Sequence, residues 1–154
     1  MLRRRTESGC IRLYMDEYEH WLAQELDDAD LRPELLSIQG LKEEIKDRFA
    51  VELAFGTAGL RGVLGAGTNR MNVYMVRKAT QGLANYLLRT PGEKSVAISY
   101  DSRIKSDVFA REAACVLAAN GVKAWLYKEL MPVPALSFAT RFLQCDAGIM
   151  VTAS

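Results

Sequence analysis

The chain has 154 residues, is 49% hydrophobic and 25% charged, and carries a formal net charge of +1. A chain of about 150 residues buries about two-thirds of its unfolded surface, so this composition describes one folded domain and excludes disordered, collagen-like and disulfide-stapled chains. The near-zero charge gives no electrostatic reason to expect nucleic acid or an anionic membrane as a partner. Cys10, Cys115 and Cys145 form no Cys-x-x-Cys pair and read as reduced thiols in a reducing, cytoplasmic compartment. No apolar run approaches the roughly 20 residues that cross a bilayer. Arg3-Arg4-Arg5 is followed by Thr6-Glu7-Ser8-Gly9, where a signal peptide would be apolar.

Tyr14, Tyr18, Trp21, Leu22 and Leu26 fall near helical spacing and predict a helix from Ile11 to about Asp27. Pro33 suits the first turn of a short helix that Gly40 closes, and Leu41, Ile45 and Phe49 predict a third helix. Residues 1–50 therefore read as an α-helical extension with no evident chemistry of its own. Val51-Glu52-Leu53-Ala54-Phe55 reads as a strand, and a glycine-rich loop runs from Gly56 to Gly67. Asn72 is placed to cap a long helix from about Val73 to Arg89.

Beyond Pro91-Gly92, Ser95 to Tyr100 is a short apolar strand, followed by a helix from about Asp107 to Asn120 that Gly121 ends. Val122 to Tyr127 is a further strand, Pro132 and Pro134 open a helix to about Leu143, and Ala147 to Val151 is a last apolar strand. Strands alternating with helices in this way predict an α/β domain with a largely parallel sheet. Functional loops in such sheets gather at the carboxyl ends of the strands. Three loops are expected to converge there, beginning near Gly56, near Asp101 and near Thr152-Ala153-Ser154.

The loop Phe55-Gly56-Thr57-Ala58-Gly59-Leu60-Arg61-Gly62 has a glycine at every third position. It can turn tightly and present successive backbone N–H groups to an anion, with Thr57 adding a hydroxyl and Arg61 a planar charged fork. It reads equally as a mobile connection. Nucleotide motifs fail: Thr68 stands where a P-loop needs Lys, and Arg70 where a dinucleotide fingerprint needs its third glycine. Asp101, after a buried strand, can cap the following turn and orient Arg103; taken alone, that is helix capping with a surface ion pair. A Ser-His-Asp hydrolase is excluded, because the single histidine, His20, belongs to the amphipathic first helix and Gly-x-Ser-x-Gly is absent. One histidine and scattered cysteines make no zinc site.

Taken together, Phe-Gly-Thr-Ala-Gly-Leu-Arg-Gly at 55–62, Tyr-Asp-Ser-Arg at 100–103 and Gly-Ile-Met-Val-Thr-Ala-Ser at 148–154 resemble the first domain of the α-D-phosphohexomutases, the phosphoglucomutase and phosphomannomutase superfamily. The order and spacing agree over about residues 50–154, and the helical N-terminus resembles the phosphoglucomutase/phosphopentomutase branch. The resemblance implies a three-layer α/β/α domain I at 51–154 with a mostly parallel or mixed sheet, truncated at the active-site serine and preceded by the helical extension at 1–50. It implies a phosphate carried by Ser154 and passed to a sugar monophosphate through a sugar bisphosphate intermediate, moving phosphate between C1 and C6 of a hexose or C1 and C5 of a pentose.

It further implies that Arg61 contacts phosphate near that serine and that Mg²⁺ binds an oxygen of Ser154 or its phosphate. Thr57 and Arg103 are expected, on physical grounds, to be supporting phosphate-binding residues. In the family a His-Asn-Pro and a lysine follow the serine, and the Asp-rich metal loop, sugar-selecting loop and phosphate clamp lie in later domains. Asp101 and Asp146 are isolated carboxylates that do not replace the metal loop. The expected partners are thus a phosphosugar and the remaining domains of the same enzyme, with no nucleic acid and no membrane. The piece alone is expected to be inactive and to self-associate through surfaces meant for the next domain. The alternative is a non-catalytic module that binds sugar phosphates or a partner mutase through the Arg61 loop.

Overall fold

A computed structural model describes residues 7–57 and 59–152. The described residues of 1–75 and of 76–154 pack as two compact units. In the first, α1 (Glu7–Ala23), α2 (Leu31–Ser37) and α3 (Lys42–Phe49) surround a core of Tyr14, Tyr18, Trp21, Leu31, Leu35, Ile38, Ile45, Phe49 and Ala66. Tyr18 and Trp21 each meet Phe49 edge-on with ring centroids 5.7 Å apart. The burial that desolvates Tyr18 raises its pKa, and its hydroxyl donates to Leu35 O (3.0 Å). The first helix stops at Ala23, short of the expected Asp27, and Asp27 N–H instead donates to the Tyr74 hydroxyl (2.8 Å). Helix α2 ends at Ser37 with Ile38 as its C-cap, and Gly40, with φ +83, lies in the turn that follows.

The strand expected over 51–55 is corrected. Only Phe55 of that run enters a strand, β1 (Phe55–Gly56), which pairs antiparallel with β2 (Gly59–Leu60) as a minimal hairpin. The physical reason is that Leu53 N–H bonds to Thr68 O (2.9 Å), a loop carbonyl, while Val51 and Phe55 stay exposed. Helix α4 (Val73–Leu87) opens as expected: Asn72 Oδ1 accepts the Met75 N–H at 3.1 Å.

In the second unit, β3 (Ser95–Tyr100) lies between β4 (Lys123–Leu126) and β5 (Ala147–Val151), and both pairings are parallel. Alternation along β3 divides the core. Val96 and Ile98 face Ala84 and Leu87 of α4 and Ala110, Ala113 and Leu117 of α5 (Ser106–Ala119), whereas Ala97 faces Leu136 and Ala139 of α6 (Val133–Phe142). Helices on both faces make the three-layer α/β/α arrangement that buries a parallel sheet. Gly148 lets α6 approach β5: a Cβ there would lie 2.8 Å from Thr140 Oγ1. No helix among the described residues is long and apolar enough to cross a membrane. Cys115 and Cys145 are free thiols; the side chain of Cys10 lies outside the described ones.

Candidate functional site

Parallel register sets Tyr100 of β3 beside Val151 of β5, so the two strands end together. The ladder continues one residue further, with Asp101 N–H donating to Val151 O (3.2 Å). The Asp101 carboxylate then joins the two following segments. Oδ2 accepts from the Thr152 hydroxyl, while Oδ1 accepts from Ser106 Oγ (2.8 Å) and from the Arg103 N–H (3.1 Å). Arg103 Nε lies 3.8 Å from Oδ2, and its side chain is 56% exposed. Partial burial pushes the Asp101 carboxyl up, but the hydrogen bonds from Thr152, Arg103 N–H and Ser106, with the Arg103 charge, outweigh it and hold the pKa below 3.8. The carboxylate is therefore ionised at neutral pH and occupied on both oxygens.

The segment after β4 reaches the same end of the sheet. Met131 N–H donates to Tyr100 O (3.0 Å), Ser99 Oγ to Met131 O (2.6 Å) and the Tyr100 hydroxyl to Lys128 O (3.1 Å). Of the three loops expected to converge, those at Asp101 and Thr152 do so, and residues 128–131 join them. Sequence reasoning missed Ser106 and this third segment; the one available signal was a serine opening a helix five residues after Asp101.

The loop carrying Arg61 belongs to the first unit. Its hairpin pairs Phe55 with Leu60 and Gly56 with Gly59, and Gly59 adopts φ +114, a conformation open chiefly to glycine. Thr57 and Arg61 are both exposed, and Arg61 makes no hydrogen bond or ion pair among the described residues. An exposed guanidinium with no partner among the described residues can offer its donors to an anion. Ala58, Ala153 and Ser154 lie outside the described residues.

His20 is exposed on α1, where Gln24 Nε2 meets His20 Nε2 at 2.6 Å. Among the described residues no three His, Cys, Asp or Glu side chains gather as metal ligands. Asp101 is taken up by Thr152, Ser106 and Arg103. Asp146 accepts from Ser95 N–H (2.9 Å) and from Lys94 Nζ (3.3 Å), contacts that hold its carboxyl below the usual range. The donor set described here does not fit Mg²⁺, which takes carboxylate and water oxygens in octahedral array.

Residues 52–154 match the family model described as phosphoglucomutase/phosphomannomutase, alpha/beta/alpha domain I. A phosphoglucomutase of Staphylococcus saprophyticus is 46% identical over 113 residues, covering 73% of this chain and 20% of the relative. Human phosphopentomutase is 34% identical over 148 residues, covering 90% of this chain and 24% of the relative. A probable phosphoribomutase of Schizosaccharomyces pombe is 43% identical over 105 residues, 66% of this chain and 18% of the relative. The chain thus spans about a fifth of the length of the curated relatives it matches. No solved structure matches it. With two thirds of its length matched by that domain and with the parallel α/β/α architecture to go with it, this chain belongs to the phosphoglucomutase/phosphomannomutase family.

Proposed function

We propose that the chain supplies the serine-bearing domain of a phosphosugar mutase, with Ser154 as the residue that carries phosphate. The observation that carries this reading is the Asp101 carboxylate, which ties the Tyr-Asp-Ser-Arg segment to Thr152, two residues before Ser154, at the shared end of β3 and β5. In the proposed reaction the P–O bond to the Ser154 oxygen breaks as a bond to a sugar hydroxyl oxygen forms. In net terms the hydroxyl proton passes to the serine oxygen. The resulting sugar bisphosphate reorients, and its other phosphate returns to Ser154, leaving the phosphate moved along the sugar.

Transfer of this kind depends on positioning and charge neutralisation. Arg61 supplies a fixed positive charge and five donors for phosphate oxygens, and Arg103, braced by Asp101, supplies a second. Thr57, on the same loop, adds a hydroxyl donor. Asp101 itself works at one remove: it holds Thr152 and the Arg103 backbone and stays ionised. Magnesium, proposed at a Ser154 oxygen, finds no carboxylate set among the described residues. Because the chain spans about a fifth of its relatives, residues 1–154 alone are proposed to accept phosphate without completing turnover.

The test is mass spectrometry of the purified chain after incubation with glucose 1,6-bisphosphate. One added phosphate on the peptide containing Ser154, absent in Ser154→Ala, is the expected result. An unmodified Ser154 in a folded chain, or sustained mutase turnover by residues 1–154, contradicts the respective part of the proposal.

A further inference from the structure

The backbone that follows Arg61 is fastened to the N-terminal helices. Met71 N–H donates to Val63 O (2.7 Å) and Gly65 N–H to Met71 O (3.1 Å), closing residues 63–71 into a compact loop. Glu34 of α2 enters that loop. Its Oε2 accepts the Ala66 N–H at 2.8 Å, and its Oε1 pairs with Arg48 Nη1. Arg48 of α3 also reaches Ala66 O (3.3 Å), and its own carbonyl accepts the Asn69 N–H (2.9 Å). Ala66 is fully buried and the Arg48 side chain is 14% exposed, so water does not easily replace these bonds.

The fit is close. A Cβ at Gly67 would lie 2.7 Å from Arg48 O, and one at Gly65 would lie 2.5 Å from Glu34 Oε1. Arg61 sits between β2, ending at Leu60, and Val63, the first tethered residue. The chain entering the hairpin is tethered too, through Leu53 N–H to Thr68 O. Both ends of the Arg61 loop therefore lead into a segment that Glu34 and Arg48 hold.

We infer that Glu34 and Arg48 are positioning residues for the Arg61 loop, and that the N-terminal helices serve as its frame. The inference rests on the reading of Arg61 as a phosphate contact. The frame fixes where the guanidinium stands, and misplacement of a binding group by an ångström can cost on the order of 100-fold in what it does.

The experiment compares the full chain with Glu34→Ala, Glu34→Gln and Ile45→Val. Ile45→Val is the control, because Ile45 is a fully buried core residue of the same helical block whose shortening makes the block less stable, while its side chain has no polar group with which to hold residues 63–71. Two quantities are read well below the melting temperature: amide hydrogen exchange at Ala66 and its neighbours, and the Kd for glucose 1-phosphate by ³¹P NMR. Glu34→Ala is expected to speed exchange at Ala66 about tenfold or more and to weaken binding about tenfold. Glu34→Gln keeps an acceptor for Ala66 but loses the ion pair, and it should fall between Glu34→Ala and wild type. Unchanged exchange in both Glu34 variants overturns the inference, as does an equal loss of binding in Ile45→Val. If exchange responds but wild type binds no glucose 1-phosphate, the tether stands and the phosphate reading of the loop falls.

Discussion

The Thr152 hydroxyl donates to Asp101 Oδ2 across the carboxyl ends of two adjacent parallel strands, 51 residues apart in sequence. Three donors and a nearby guanidinium lower the Asp101 pKa below its ordinary 3.8. A carboxyl with a depressed native pKa stabilises the fold fully above its unfolded value and loses that contribution as pH falls through the native one. Asp101→Asn is therefore expected to cost about 1–3 kcal/mol at neutral pH, from weakened charge-assisted hydrogen bonds. Its deficit against wild type should narrow below about pH 4. Urea denaturation between pH 3 and 7 checks this; a deficit that stays constant across the range refutes it.

Gly148 predicts a packing effect. A methyl there would press on Thr140 Oγ1 at 2.8 Å, so Gly148→Ala should destabilise by about 1–3 kcal/mol. Adding Thr140→Ala makes room, and the double variant should recover part of the loss. Additive losses in the double-mutant cycle would show that the two residues do not press on each other.

Asn72 does two jobs from one buried position. Its Nδ2 donates to Gly65 O and Gly67 O, each at 2.9 Å, and to Arg70 O at 3.2 Å, while its Oδ1 caps α4. Asn72→Ala should cost about 2–4 kcal/mol. Asn72→Asp keeps the cap acceptor but turns a carboxylate oxygen toward carbonyls, so it should do no better at neutral pH. Full rescue by Asp, read from denaturation midpoints, would assign the whole effect to the cap.

Arg61 has no protein partner among the described residues to lose. Arg61→Ala should leave stability within about 0.5 kcal/mol of wild type. The same variant should weaken glucose 1-phosphate binding about tenfold or more, the loss of a charge-assisted phosphate contact. Calorimetric titration with a parallel melting curve reads both. Unchanged affinity would remove Arg61 from the phosphate site.

The second unit was largely legible in the sequence. The apolar runs at 95–100 and 147–151 become β3 and β5 with those same limits, because strands of a parallel sheet covered by helices read as near-continuous apolar runs. Asn72, Gly121 and Pro132 mark helix ends by local backbone chemistry, which needs no distant partner. The run at 51–55 misled, since β-favouring residues form a strand only where a neighbouring strand is present to pair with them. Here Leu53 is bonded to a loop carbonyl instead.

By itself, then, the sequence determined the local elements, the family motifs and the residue types able to hold a phosphate, all of which are written in short-range spacing. Tertiary structure alone decided that Asp101 meets Thr152, and that Glu34 and Arg48, 32 and 18 residues away, meet Ala66. Hydrogen bonds between residues so far apart depend on how helices and strands dock. Nothing in the spacing of a glutamate on one helix and an arginine on the next announces the loop they will hold.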